Sequence, residues 1–301
     1  MMTQQSKPVR IALIGAGGML AGAVKAAAPA STEVVGLDLP EFDLTRSDAS
    51  GQLLALHPDI LINCAAFTQV DRCEEEEETA LRINGTAVGL LADAAKRLDA
   101  TLVHISTDYV FAGDKGAPYV ETDAPRPLSA YGRTKLAGEQ ALTTSGLQRY
   151  YLLRTSWLYG SGGPNFVETI LRLAGERKQL RIVDDQIGSP TLTLDLATAI
   201  FRLLAIDDPA ARAACGLYHF ANRGQCSWYE FACAIVDTAR QSGMALAVEE
   251  IVPITTADYP LPAARPACSV LATDKYRRAT GADIPGWRES LTAYFMARGQ
   301  G

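Results

Sequence analysis

The run Arg10-Ile-Ala-Leu-Ile-Gly-Ala-Gly-Gly-Met-Leu-Ala21 decides the fold. Arg10–Ile14 reads as an apolar strand, a glycine-rich turn follows it, and a helix opens at Met19. That is where an open α/β sheet seats a phosphate on a helix N-terminus. Gly15 permits the tight turn, Gly18 lets the backbone approach phosphate, and the small Ala21 allows the helix to lie close to the sheet. Asp38 ends the next strand, 23 residues after Gly15, where a carboxylate accepts hydrogen bonds from adenosine ribose hydroxyls. These residues imply a dinucleotide site contacted by Gly15, Gly17, Gly18, Met19, Leu20 and Asp38. A carboxylate at 38 repels a 2′-phosphate and so favours NADH over NADPH. The competing reading is that Asp38 only opens the Asp-Leu-Pro turn.

Outward from this run, short apolar segments alternate with helical ones, which predicts an α/β fold with a doubly wound parallel sheet. The expected strands are Arg10–Ile14, Glu33–Leu37, Ile60–Asn63, Thr101–Ser106 and Tyr150–Thr155. The expected helices between them are Met19–Ala28, Ser50–Leu56, Glu74–Leu98 and Ala130–Thr144. After Ser156 the pattern turns to the helices Phe166–Glu176, Leu194–Leu204 and Trp228–Ser242, separated by short strands and Pro- and Gly-bearing loops. The division is a dinucleotide-binding domain over 8–160 and a smaller, mainly substrate-binding lobe over 161–301, with segments returning to the sheet. The run Glu74–Glu78 reads as a solvated helix start, where the helix dipole favours carboxylates.

Composition narrows the function. The 301 residues carry 28 basic and 34 acidic side chains, a net charge of −6, without the basic excess that binding to a phosphate backbone needs. No apolar run approaches the roughly 18 residues that would span a bilayer. Met1–Arg10 is polar and lacks the apolar core of an export signal. The six cysteines form no CxxC pair and read as reduced, mostly buried thiols of a cytoplasmic protein. His57, His104 and His219 are dispersed, so no metal is expected.

The chemistry centres on Tyr131-Gly-Arg-Thr-Lys135, where a phenol and an ammonium four residues apart share one helix face, with Cβ atoms about 5 to 6 Å apart. The ammonium is expected to lower the phenol's pKa toward the range of a general acid or base. Ser106-Thr107-Asp108-Tyr109 places a hydroxyl at the C-terminal edge of the fourth strand, facing the crevice where such sheets bind ligands.

In this order, after a dinucleotide fingerprint, these features resemble the extended short-chain dehydrogenase/reductase superfamily, with its Rossmann-type sheet. The runs Ser-Thr-Asp-Tyr-Val-Phe (106–111), Tyr-Gly-Arg-Thr-Lys-Leu-Ala-Gly-Glu (131–139), Arg-Thr-Ser-Trp-Leu-Tyr (154–159), Asp-Gln-Ile-Gly-Ser-Pro-Thr (185–191) and Gly-Leu-Tyr-His (216–219) narrow it further. They are similar to the dTDP-4-dehydrorhamnose reductase family, from about residue 9 to residue 290. The resemblance implies NAD(P)H-dependent reduction of the 4-keto group of dTDP-4-dehydro-L-rhamnose. It implies that Tyr131 protonates the developing alkoxide, that Lys135 holds the nicotinamide ribose, and that Thr107 hydrogen-bonds the keto oxygen. It sets Asp108, Tyr109 and Trp157 against the sugar, the two aromatics having the alternative of ordinary core positions. Further cofactor contacts are implied at Asp43, Leu44, Ala65, Ala66 and Thr68, with Asn84 near the active site. Arg265 is implied as a clamp for the nucleotide diphosphate, or else it is a surface arginine.

Two departures bear on assembly. Some family members bind Mg2+ through glutamates at a dimer interface, but Ala23 stands at one such position and Leu194, beside Asp195, at the other. A monomer or a metal-free homodimer is expected. Two other functions compete. An epimerase or dehydratase would also use the Tyr-Lys pair, yet dehydratases usually add an acidic pair after Thr107, and here only Asp108 is acidic. The fold also resembles a cofactor-binding regulatory subunit of methionine adenosyltransferase, against which the intact Thr107, Tyr131 and Lys135 argue.

Overall fold

A computed structural model describes residues 8–205 and 214–298. Most of the polar N-terminal segment and the last three residues of the expected second lobe lie outside the described residues. The first half winds as β1 (Val9–Ile14), α1 (Met19–Ala27), β2 (Thr32–Leu37), α2 (Ala49–Leu56), β3 (Ile60–Asn63), α3 (Val70–Glu75), α4 (Glu77–Leu81), α5 (Ala87–Leu98), β4 (Thr101–Thr107), α6 (Ala130–Thr144) and β5 (Tyr150–Thr155). Every pairing in the central sheet is parallel, in the order β2, β1, β3, β4, β5 and then the strand Gly216–His219. The winding direction reverses between β1 and β3, which opens a crevice at their C-terminal ends.

Alternation along the strands explains how both sheet faces are covered. Ile11, Leu13, Ile62, Val103 and Leu153 point to a layer containing Leu20 and Val24 of α1 with Leu196 and Ile200 of the helix Thr193–Leu204. Ala12, Ile14, Leu61, Leu102 and Leu152 point the other way, to Leu53 of α2, Leu91 of α5 and Leu142 of α6. A separate core is built from Tyr159, Val167, Ile170, Phe231, Ile235 and Leu291. The helix Thr193–Leu204 and the strand Gly216–His219 follow the first elements of that second core in sequence but pack on the central sheet.

The expected single helix Glu74–Leu98 is broken. Helical structure begins earlier, at Val70, stops at Glu76 and passes through a π-helical turn at Arg82–Thr86 before α5. At the π-helical turn the contact is tertiary: a Cβ at Gly138 of α6 would meet the Asn84 carbonyl oxygen, so the two backbones touch there. The glutamates accordingly straddle a helix break instead of forming one solvated start. Glu74 accepts from the Ala130 N–H at the first turn of α6, and Glu77 pairs with Arg133. The cysteines are free, but only Cys73 and Cys226 are buried and the other four are half-buried.

Candidate active site

The β1–α1 turn has the shape its glycines predict. Gly15 adopts φ +75°, and a Cβ there would meet the Ala65 nitrogen at 2.7 Å. Gly18 starts α1 with no capping side chain, and the first turn holds no acidic residue. The N–H groups of that turn and the positive end of the dipole are thus available to an anion. Beside the turn, a hollow of about 280 Å³ is lined by Gly15, Asp38, Phe42, Asp43, Leu44 and Ala65. Asp38 reaches it while one carboxylate oxygen accepts from the Gly17 N–H at 2.5 Å and the other from the Leu39 N–H. Part of its capacity therefore goes to fixing the glycine turn and not to a ribose. Gly18, Cys64, Ala65 and Ala66 also line a second, larger cleft of about 530 Å³, so the two form one bipartite trough. An elongated molecule with a central anion and two ring systems fits a trough of this shape, and an NAD(P) cofactor is such a molecule.

The larger cleft gathers the chemistry-bearing residues. Gly17, Met19, Leu20 and Thr68 border it on the turn side, and Thr107, Asp108, Tyr109, Tyr131, Lys135 and Trp157 on the other. α6 begins at Ala130, its Ser129 cap accepting from Gly132 N–H, so Tyr131 and Lys135 sit on successive turns facing the end of β4. Gly132 is required there, because a Cβ would lie 2.3 Å from the Tyr109 carbonyl oxygen. The Tyr131 ring meets Tyr109 edge-on, with centroids 5.6 Å apart.

The protonation of this corner corrects one expectation. Burial pushes the Tyr131 phenol above its ordinary range, and a hydrogen bond with the Thr107 hydroxyl only partly offsets it. Lys135 does not hold the phenol down. Its ammonium is itself buried and donates to the Ile105 carbonyl at 2.7 Å, and burial pushes its pKa down to about 8 against the pull of Glu139. Tyr131 therefore carries its proton at neutral pH, the form a general acid needs.

Two other assignments, Asp108 and Arg265, also shift. Asp108, expected against the sugar, is 2% exposed, and both its oxygens are occupied by the Thr107 and Ser269 hydroxyls. Arg265 is neither a surface residue nor free. Its side chain is 13% exposed and binds Asp71 through both terminal nitrogens, at 2.6 and 2.7 Å. It does not line the cleft. Asn84 is buried and clamps the segment after β3, accepting from Phe67 N–H and donating to the Phe67 carbonyl and Thr134. Sequence reasoning missed Trp228, which lines the cleft stacked on Trp157 at 3.4 Å between centroids. Trp157 is held at φ +47°, where few bulky side chains sit, with Gly188 leaving room for its ring. The only sequence signal at Trp228 was its place at a helix start.

A dinucleotide trough whose far end opens on a protonated tyrosine, a buried lysine and a threonine at a strand terminus defines a Rossmann-type oxidoreductase of the short-chain dehydrogenase/reductase kind. Comparison with known sequences makes the class specific: the family described as the RmlD substrate binding domain matches residues 9–298, and the chain belongs to the dTDP-4-dehydrorhamnose reductase family. The reductase of that name from Burkholderia thailandensis is 41% identical over 94% of this chain and 97% of its own length. The Bacillus subtilis spore coat polysaccharide biosynthesis protein SpsK is 45% identical over 80% of each chain. The crystal structure of dTDP-4-dehydrorhamnose reductase from Bacillus anthracis, in complex with NADP, superimposes with a TM-score of 0.89. It is 36% identical and covers 96% of this chain and 99% of that one.

Proposed function

We propose that this chain reduces the 4-keto group of dTDP-4-dehydro-L-rhamnose to dTDP-L-rhamnose with NADH or NADPH. The observation that carries the reading is the gathering of Thr107, Tyr131 and Lys135 in one cleft continuous with the glycine turn. A reduced nicotinamide bound in the trough supplies the hydride. The residues do the rest. Thr107 and Tyr131 converge on one point, where they orient the keto oxygen. Tyr131, kept neutral by burial, gives its proton to the oxygen as negative charge develops there. Lys135 spends one of its three N–H bonds on Ile105, leaving two for ribose hydroxyls. Trp157, braced by Trp228, offers an apolar face to the sugar ring. Mixing the protein with this sugar nucleotide and NADH, and following nicotinamide absorbance, tests the proposal. Loss of absorbance that requires the sugar is expected. Cofactor binding without turnover, with either NADH or NADPH, would instead favour a binding subunit and overturn the reading.

Lys135→Met is expected to weaken cofactor binding and turnover together, because one ammonium holds the ribose and carries charge into the site. An unchanged cofactor Kd, measured by nicotinamide fluorescence, would remove Lys135 from the cofactor contacts.

We also assign a preference for NADH, on the place of Asp38 beside the hollow. Two arginines act on Asp43 at its edge, Arg82 and Arg46, and Arg46 is engaged by Asp48 at 3.1 Å. A 2′-phosphate near a partly screened carboxylate costs on the order of 1 kcal/mol or more, or about 5-fold in kcat/KM. Side-by-side assays giving a higher kcat/KM for NADPH would show that Asp38 serves the turn alone. The six free cysteines support a reducing, cytoplasmic setting. No described helix is long and apolar enough to cross a membrane. For assembly we propose a monomer or a metal-free homodimer, on the residues at positions 23, 194 and 195. Ala23 packs against the sheet core, and one oxygen of the Asp195 carboxylate, Oδ2, accepts from both Asn222 and Ser290.

A further inference from the structure

The proposed reaction gives Asp108 no task, although its carboxyl touches the catalytic threonine. Among the described residues it forms no ion pair, in contrast to the other buried carboxylate of this region, Glu139, which Arg154 neutralises. Two hydroxyls hold it: Ser269 Oγ donates to Oδ2 at 2.5 Å, and Thr107 Oγ1 lies 3.0 Å from Oδ1. Burial without a cation favours the neutral acid, and it pushes this carboxyl up to about 6 despite both hydroxyls.

Thr107 has one proton and two claims on it. Its Oγ1 already accepts from the Tyr109 N–H at 3.2 Å and is in reach of both Asp108 and Tyr131. An ionised Asp108 can only accept, so it draws the Thr107 proton toward the strand end and away from the cleft. A neutral Asp108 reverses the bond. With Ser269 occupying Oδ2, the proton sits on Oδ1 and donates to Thr107 Oγ1, and the threonine's own proton is released toward the cleft.

We propose that Asp108 is a positioning residue that works in its neutral form, turning the Thr107 hydroxyl toward the keto oxygen by donating a hydrogen bond to Thr107 Oγ1. The inference rests on the reductase reading and adds to it a pH dependence of substrate polarisation. The surrounding groups do not supply a competing charge. The Lys135 ammonium on α6 keeps its charge but points to the Ile105 carbonyl, Arg265 of the C-terminal segment is paired with Asp71 of α3, and the Asp108 carboxyl is moved by burial and hydrogen bonds. Tyr109, Tyr131 and Cys73 are all pushed up by burial and stay neutral. A bound sugar excludes more water and raises the Asp108 carboxyl further, so the effective limb in turnover lies at or above about 6.

The test is the pH profile of kcat/KM on dTDP-4-dehydro-L-rhamnose for the wild type and Asp108→Asn, each normalised to its own maximum. The asparagine amide donates to Thr107 at every pH, and its carbonyl accepts from Ser269. The wild type is expected to fall by about tenfold per pH unit above the limb, as one-proton control requires, and Asp108→Asn is expected to lose that limb. A limb near about 6 that survives in Asp108→Asn, or a wild type with no limb below the loss of the Lys135 proton near about 8, overturns the proposal. A second readout needs neither turnover nor that variant: carbon NMR of aspartate-carboxyl-labelled protein. One aspartate should titrate well above the rest and move higher in Ser269→Ala. Aspartates that all titrate in the ordinary range near about 4 overturn the proposal. A wild type that fails to reduce the sugar defeats the reductase reading separately, and the NMR titration still reports whether Asp108 holds its proton.

Discussion

Tyr131→Phe is expected to lower kcat by about 100-fold or more, the scale on which a positioned proton donor acts, while cofactor Kd changes little. The structure makes this a clean deletion of a proton. The ring packs edge-on against Tyr109, and phenylalanine keeps that contact. Lys135 reaches the Ile105 carbonyl without help from the phenol. Only the hydroxyl, on the cleft beside Thr107, is lost. KM for the sugar should rise modestly, because Thr107 still meets the keto oxygen. A variant retaining most of the wild-type turnover would show that another group protonates the product, and the mechanism would have to be redrawn around it.

The parts of this protein that were legible in the sequence are those fixed by local pattern. The first five strands fall within a residue of the expected ones, because strands buried on both faces read as continuous apolar runs between turn signals. The glycine turn was legible because Gly15 answers to a single backbone requirement, φ +75° against the Ala65 backbone. α6 was placed to the residue, and with it Tyr131 and Lys135. What escaped depends on partners remote in sequence. Periodicity carried the helix straight through Asn84, since nothing local announces that Gly138, more than fifty residues on, brings two backbones into contact there. The partner of Arg265 is Asp71, 194 positions away, so a side chain that reads as a phosphate clamp is found held by a carboxylate. The Tyr131 pKa turned the other way because spacing reports proximity to an ammonium but not burial, and burial dominates. Trp228 joined the cleft through a stack on Trp157 that neither segment encodes alone.

Behind the catalytic face lies the interaction whose loss should cost the most stability. Arg154 on β5 binds Glu139 on α6 through two nitrogens, at 2.9 and 2.6 Å, and Ser106 Oγ donates to the same carboxylate. Both side chains are almost wholly buried, at 3% and 4% exposure. The guanidinium also lies over the Phe111 ring and contacts His219. Arg154→Met keeps an aliphatic stem of similar length but leaves Glu139 charged and unpaired in a dry site, a change that costs about 3–5 kcal/mol. On a domain with roughly 5–15 kcal/mol of net stability, that lowers Tm by roughly 5–8 °C. The sign of the pH effect follows from the lost cation. An unpaired buried carboxyl is raised above its unfolded value, so the penalty is largest where it must be charged and shrinks as pH falls and the group protonates. Arg154→Met should therefore lose more stability at pH near about 8 than at about 5, with Glu139→Gln/Arg154→Met recovering most of the loss because no charge remains to be buried. A thermal melt of Arg154→Met within about 1 °C of wild type at the higher pH, or a double variant no better than the single one, would show that water or another donor replaces the guanidinium. Because Glu139 is one turn from Lys135 and draws its pKa upward, the same substitution perturbs the electrostatics of the cleft as well as the stability of the fold.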